Sequence, residues 1–431
     1  MTGAARRRRS SRLLVVAALA AVVALIGTAC SDGHHDVRQN APYGWPMYGG
    51  NAANANFTYS QVPDDLQLIW NREVGGAITA PLAINGSGDV AGVAKTASGC
   101  NLNVFDQRAG RKNYCKRLGE GSPLNTPLFD QIGQPYIGEA GMFFAFNGGG
   151  AIRWRYPTYG VPLSAKFAAP GRVLVATTQG QVLLLNAQTG DLAAPEALLR
   201  PDTNADARAG LADCTVGGPA CAIAAPPALD LGTHRTFLTF FPKGARSSQV
   251  KAMTYTDGAI TDLWTADIGG GVMGPPTVSA DGKTVYSFGR DGKLYALDAA
   301  TGAVRWSHDV GGHGFATLSV SPDGTLVPAG ALGAPLTILR DKGTRVEVVA
   351  RRDDVQTAGL GTQTSAGTLW AVTRDGESLA LTEFSTADGA TKRTLPLPGA
   401  KGFSTGVAVS AWGSIAVGTS NGAVFFFYRP F

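Results

Sequence analysis

Residues 418–422 read GTSNG, the G-x-S-x-G spacing of a nucleophile elbow. That chemistry holds a serine on a strained turn between a strand and a helix. Here the run AVFFFY follows, apolar and of strand length, so a turn between two strands is expected instead. Residues 202–213, DTNADARAGLAD, place oxygen ligands at Asp202, Asn204 and Asp206 and an acid, Asp213, at the twelfth position, in the manner of a calcium loop. Such a loop turns sharply on a glycine at its sixth position, where this chain has Ala207, so a polar loop is the plainer expectation. His34 and His35 sit together in the polar stretch SDGHHDVRQNAP, and His308 and His313 form a second pair. Two histidines without a third ligand do not make a zinc site. No HExxH, P-loop or Cys-x-x-Cys pattern occurs. No catalytic constellation assembles, and the chain is expected not to be an enzyme.

The chain that would position these residues starts with an export signal. Arg6, Arg7, Arg8, Arg9 and Arg12 precede an apolar run over 13–26. A membrane span needs about 20 residues, and this run has the length of a signal-peptide core. It ends in GTAC, which resembles a bacterial lipobox, with Gly27 where the pattern prefers Leu. Residues 1–29 therefore read as a lipoprotein signal peptide, Cys30 as the lipidated residue and 30–42 as a flexible tether. A plain secretory signal cleaved near Cys30 is the alternative. A twin-arginine signal fits less well, because Ser10 and Ser11 follow the arginines. The expected location is extracytoplasmic, lipid-anchored to the bacterial cell membrane.

Cleavage also changes the charge. Residues 1–29 hold five arginines and no acid, so the mature chain keeps 32 bases against 32 acids. Nucleic-acid binding normally leaves a basic footprint on the domain, and the net balance shows none. That partner class is excluded.

The sharpest stretch of the body is DGKLYALDAATGAVRW, 291–306. A short apolar strand meets a turn in which Asp298 and Thr301 bond nearby backbone and Gly302 permits a positive φ; a second strand returns with Trp306. Hairpins of this form are centred on Gly110, Gly150, Gly190, Gly258, Gly302, Gly343 and Gly389, at spacings of 40, 40, 68, 44, 41 and 46. A period of this length marks a β-propeller with one four-stranded blade per repeat, and the long spacing marks an inserted loop at about 196–222. The last repeat stops before an outer strand, while LQLIWNREVGG, around Trp70, supplies an outer strand with no inner ones. Pairing the two would remove both exposed edges. The expectation is an all-β, eight-bladed β-propeller over 43–431, closed by an N-terminal strand on the C-terminal blade.

ALDAATGAVRW resembles the tryptophan-docking repeat of the PQQ-like, quinoprotein-type propellers, and WPMYGGNAANANF, 45–57, resembles the opening of many members. The resemblance implies that Trp70, Tyr114, Trp154, Trp264 and Trp306 pack their blades against neighbours. Elsewhere the position four after the glycine holds Ala194, Glu347 and Arg393, so the girdle is degenerate. Quinoprotein dehydrogenases of similar fold use a catalytic Asp, a calcium held by Glu, Asn and Asp, and commonly adjacent cysteines. This chain has no adjacent cysteines and lean blades, so no cofactor is expected. Another relative in fold is the propeller lipoprotein of the outer-membrane protein assembly machinery, a non-catalytic scaffold.

With Cys30 lipidated, Cys100, Cys115, Cys214 and Cys221 remain, and four cysteines allow three pairings. Cys100 and Cys115 flank a hairpin turn, and Cys214 and Cys221 share the inserted loop, which favours the two local disulfides. The functional expectation is a monomeric, non-catalytic interaction scaffold for unidentified envelope proteins. A small-ligand or glycan sensor is the alternative, with a quinone-dependent dehydrogenase behind both.

Overall fold

Short apolar runs separated by glycine-centred turns have one low-energy solution, the antiparallel meander, and the chain repeats it from end to end. The computed structural model describes residues 37–311, 317–328 and 335–430. Cys30, His34, His35 and His313, and the signal peptide, lie outside the described residues.

The first sheet runs from Gly76–Ile78 and Ala83–Ile84, which share the innermost place, through Val90–Thr96 and Cys100–Phe105 to Lys112–Arg117. Four-stranded sheets follow from Leu128–Phe129 to Ile152–Pro157, from Pro162–Ala169 to Ala197–Leu198, from Ala228–Asp230 to Ala259–Ala266, and from Val272–Val278 to Val304–Asp309. Two more meanders, Leu318–Val320 to Val346–Thr357 and Thr362–Thr364 to Thr391–Pro396, merge into a nine-stranded sheet. They merge because the long strand Val346–Thr357 reaches across to pair Gln356 with Arg374 and Thr357 with Thr373. The last sheet holds Ser404–Val409, Ile415–Thr419 and Ala423–Tyr428, and its fourth strand is Gln67–Glu73 from the other end of the chain. The fold is all-β and propeller-like.

Alternation puts one side of each strand against the preceding sheet and the other against the next. Val93, Leu102 and Val104 thus pack on Ile137, Phe144 and Phe146 of the following sheet. Each Leu or Phe buried in such a layer contributes about 1.5–3 kcal/mol.

Outer strands carry a bulge, and the bulge decides which residue docks on the neighbouring sheet. In the sharpest repeat the register slips between Ala296, opposite Trp306, and Leu297, opposite Val304. The same slip places Tyr114 opposite Val104, Trp154 opposite Ala145, Trp264 opposite Ala252 and Arg393 opposite Glu383. In the sheet beginning at Leu318–Val320 the slip leaves Ala350, not Glu347, in this place, opposite Ile338. Ala350 faces Gly389 of the next hairpin, and Arg352 beside it donates to the Gly389 carbonyl at 2.9 Å. The aromatic girdle is filled here by an arginine stem.

The stretch 30–42, expected as a flexible tether, is part of the fold where it is described. Val37 and Ala41 are each 1% exposed, Asn40 bridges Asp130, and the Ala41 amide donates to the Phe129 carbonyl. The apolar Val37 and the small Ala41 fill gaps against aromatic neighbours, which a reading of overall polarity overlooks.

Cys100 is joined to Cys115 and Cys214 to Cys221, with Cα atoms 5.5 and 5.0 Å apart. Beyond Ala197–Leu198 the inserted loop runs outside the sheets, with one short helix, Leu211–Cys214, leading into the second disulfide.

Candidate functional site

The first strands of the meanders converge on one cavity of about 290 Å³. Leu163, Pro275 and Thr405 come to it from the first strands of three sheets, Pro81, Pro226 and Leu360 from the segments leading into first strands of others, and Tyr48 lines it as well. Thr317 also lines it, and its hydroxyl has no hydrogen-bond partner among the described residues.

Behind this cavity the segment 43–58 runs along the inner strands of successive sheets. The Trp45 amide donates to the Ile84 carbonyl, the Trp45 carbonyl accepts from the Ile84 amide, and the Phe129 amide donates to the Pro46 carbonyl. Further on, the amides of Leu229, Val278, Val320 and Gln363 donate in turn to the carbonyls of Ala52, Ala53, Ala55 and Asn56. The Asn54 side-chain amide donates to the carbonyls of both Pro227 and Pro276, and that of Asn56 to the Leu318 carbonyl. Phe57–Thr58 then adds as a parallel strand on Thr362–Thr364. Gly49, Gly50, Asn54 and Asn56 all have positive φ, which lets the segment curl along the inner strands. The opening motif of the sequence is therefore a plug.

Lys166 pins it. Its ammonium donates to the carbonyls of Tyr48 and Asn51, its side chain is 0% exposed, and it makes no ion pair among the described residues. Burial without a counter-charge holds its pKa well below the ordinary lysine value. Burial likewise pushes the Tyr48 phenol up.

A second cavity, of about 400 Å³, adjoins the first through Thr79, Ala224 and Gly274, and the disulfide Cys214–Cys221 forms one wall. Arg290 donates from Nη2 to the carbonyls of Val216 and Gly217, at 2.9 Å each, and so holds the loop tip beside the mouth. Val216 at that tip is 67% exposed.

The calcium set does not assemble. Arg200 grips Asp202 with two nitrogens and Lys243 adds a third contact, at 2.6–2.8 Å. Those cations hold the Asp202 carboxyl well below its usual range. Asn204 and Asp206 accept local backbone amides, and Asp213 accepts from the Ala220 amide. Both cations come from outside the twelve-residue stretch, which is why its composition misleads. Ser420 sits in a strand-to-strand turn and accepts from the Phe403 amide, so no elbow forms. His308 lies on the outer strand Val304–Asp309. Among the described residues no group of three His, Cys, Asp or Glu is placed to hold a metal.

The donor set of the axial cavity also tests the quinone. Its described lining has hydroxyls, prolines and aliphatic groups but no carboxylate, guanidinium or ammonium. An anionic quinone with a divalent cation needs charged ligands, and these residues do not fit it.

Most of the aromatics named from the sequence lie on the glycine of the following hairpin, and Trp306 packs on the next sheet through Leu339 and Asp341. Trp154 lies on Gly190, Tyr114 on Gly150 and Trp264 on Gly302, each glycine on the following hairpin. The indoles of Trp154 and Trp264 donate to the carbonyls of Ala187 and Ala299, and that of Trp306 to the Asp341 carboxylate.

Residues 246–425 match the family model described as outer membrane protein assembly factor BamB. Among solved structures, BamB from Moraxella catarrhalis is similar over 84% of this chain and 99% of its own, with 16% identity and a TM-score of 0.56. The quinohemoprotein alcohol dehydrogenase from Comamonas testosteroni is similar over 90% of this chain and 80% of its own, with 13% identity and a TM-score of 0.61. At these identities the likeness is one of fold. Protein Rv3035 of Mycobacterium tuberculosis is 34% identical over 394 residues, 89% of this chain and 95% of that protein. The chain belongs to the family of Rv3035, whose fold here is the PQQ-like β-propeller.

Proposed function

We propose that this protein is a non-catalytic interaction scaffold of the cell envelope. In this reading the meanders are eight blades of one ring, closed where Gln67–Glu73 pairs with Ala423–Tyr428. Cys30 carries the lipid that anchors the mature chain to the outer face of the membrane. A partner protein docks at the mouth beside the disulfide loop, where Val216 projects.

The observation that carries the proposal is the plug. A bore filled by 43–58, beneath a cavity lined without charge, leaves surface rather than an enclosed reaction chamber. The BamB-like fold supports interaction in general, though function resides in surfaces grafted onto folds. The adjoining cavities keep a second reading, a small-ligand sensor, in play.

Purified protein supplied with pyrroloquinoline quinone and calcium is expected to oxidise neither alcohols nor sugars. Turnover of any such substrate would overturn the non-catalytic reading. Cys30→Ala is expected to release the protein from membranes, and full retention after a high-salt wash would remove the anchor from the proposal.

A further inference from the structure

The neutral mature charge conceals an uneven distribution. Residues 90–117 of the first sheet carry Lys95, Arg108, Arg111, Lys112, Lys116 and Arg117, against a single acid, Asp106. Asp106 is occupied locally, since its carboxylate accepts the amides of Arg108, Ala109 and Arg111. Arg72, on the adjoining strand Gln67–Glu73, lies across the same turn and donates to the carbonyls of Ala109 and Gly110. All seven cations except the half-buried Lys116 are exposed.

None of the seven pairs with a carboxylate among the described residues, although Glu73 stands next to Arg72. Elsewhere several arginines are neutralised: Arg153 with Asp130, Arg172 with Asp257, Arg345 with Glu347, Arg352 with Asp354 and Arg393 with Glu383. The first sheet and the turn at its edge thus gather seven cations without an ion pair among the described residues. Like charges crowded without counter-charges repel, so an arrangement of this kind suits an anionic surface outside the molecule.

The position of the chain's start says which surface. The described chain begins at Val37, packed with Tyr136 and Trp154 of the next sheet. Only residues 30–36 separate it from Cys30, and seven residues span at most about 25 Å. Resting on the proposed lipid anchor, this tether holds the folded chain close to the bilayer, which makes anionic lipid the nearest polyanionic surface.

We propose that the cationic rim of the first sheet docks on the anionic lipid headgroups of the membrane to which the chain is tethered. The lipid supplies attachment, and the rim supplies orientation.

The test uses the mature chain with Cys30→Ser, which has no site for a lipid, so failure of the anchor reading does not enter. Sedimentation with vesicles of phosphatidylcholine, with and without phosphatidylglycerol, reads the charge dependence. Binding is expected to be about tenfold or more stronger with phosphatidylglycerol, and to weaken as salt rises. The triple variant Arg108→Glu, Arg111→Glu, Lys112→Glu is expected to abolish that preference. Arg345→Glu with Arg351→Glu, on another sheet, is expected to retain it. If charge reversal impairs folding, Arg108→Gln, Arg111→Gln, Lys112→Gln serves in its place, with a several-fold loss expected. Equal binding to both vesicle types, or an unchanged preference in the rim variants, would overturn the proposal. Binding to a soluble polyanion without binding to vesicles would overturn it as well.

Discussion

The indole of Trp70 lies flat against Gly110, so close that a Cβ on that glycine would stand 2.5 Å from Cδ2 of the ring. The indole nitrogen also donates to the Gln107 carbonyl at 2.9 Å. Trp70 thereby ties the last sheet, through its borrowed strand, to the first. Trp264 and Gly302 repeat the relationship with a distance of 2.6 Å. Both glycines have positive φ, so an added methyl meets backbone strain and a fixed ring together. Gly110→Ala and Gly302→Ala are each expected to destabilise the protein by about 2–4 kcal/mol in urea titrations. Gly292→Ala, at a similar φ with nothing within 4 Å, is expected to lose only about 1 kcal/mol. Equal effects at all three would show that the Trp contacts add nothing.

Truncations separate the tether from the fold. A chain starting at Val37 is expected to fold fully, because Val37 is the first residue of the compact unit that runs to Phe431. Starting at Tyr43 removes buried Val37 and Ala41 and is expected to lower stability by about 2–3 kcal/mol. Starting at Val74 removes the plug and the strand Gln67–Glu73, leaving the edge of Ala423–Tyr428 unpaired with its three phenylalanines. Such an edge is a template for aggregation, so light scattering should rise with this truncation alone.

Lys166 predicts a pH dependence. Its folded pKa is depressed, so between that value and the unfolded value of about 10.4 the unfolded chain binds more protons. Stability therefore rises with pH across that window, by up to about 1.4 kcal/mol per unit for one proton. Lys166→Met removes the titration. The stability of the wild type minus that of the variant should climb as pH rises toward the ordinary lysine range, and a flat difference would mean that Lys166 folds with its proton retained at no cost.

Much of the fold was legible because a propeller repeats itself. The glycine spacing marked the hairpins, and the partial repeats at the two ends anticipated the pairing of Trp70's strand with Phe426's. Less legible was anything set by register. Ala350 rather than Glu347 fills the docking place because a bulge shifts the outer strand, and local sequence carries no sign of where that slip falls. Asp202 illustrates the other difficulty: its neighbours spelled a calcium loop, while the groups that neutralise it, Arg200 and Lys243, lie outside the motif. The plug was visible as WPMYGGNAANANF but not as a plug, since the bonds of Asn54 and Asn56 to Pro227, Pro276, Leu318 and Ser319 reach across 173–263 residues to strands with no matching motif. The mouth was not legible at all, being assembled from single residues of many strands.

The scaffold reading stands or falls on where the protein is touched. First strands such as Ser404–Val409 begin at the mouth, where Ser404 lines the cavity, and end at the turn holding exposed Trp412. A photo-crosslinking residue at Val216 therefore samples the mouth, and one at Trp412 samples the plugged end. In intact cells, discrete protein adducts are expected from Val216 and not from Trp412. Adducts from neither position, or from Trp412 alone, would contradict docking at the mouth.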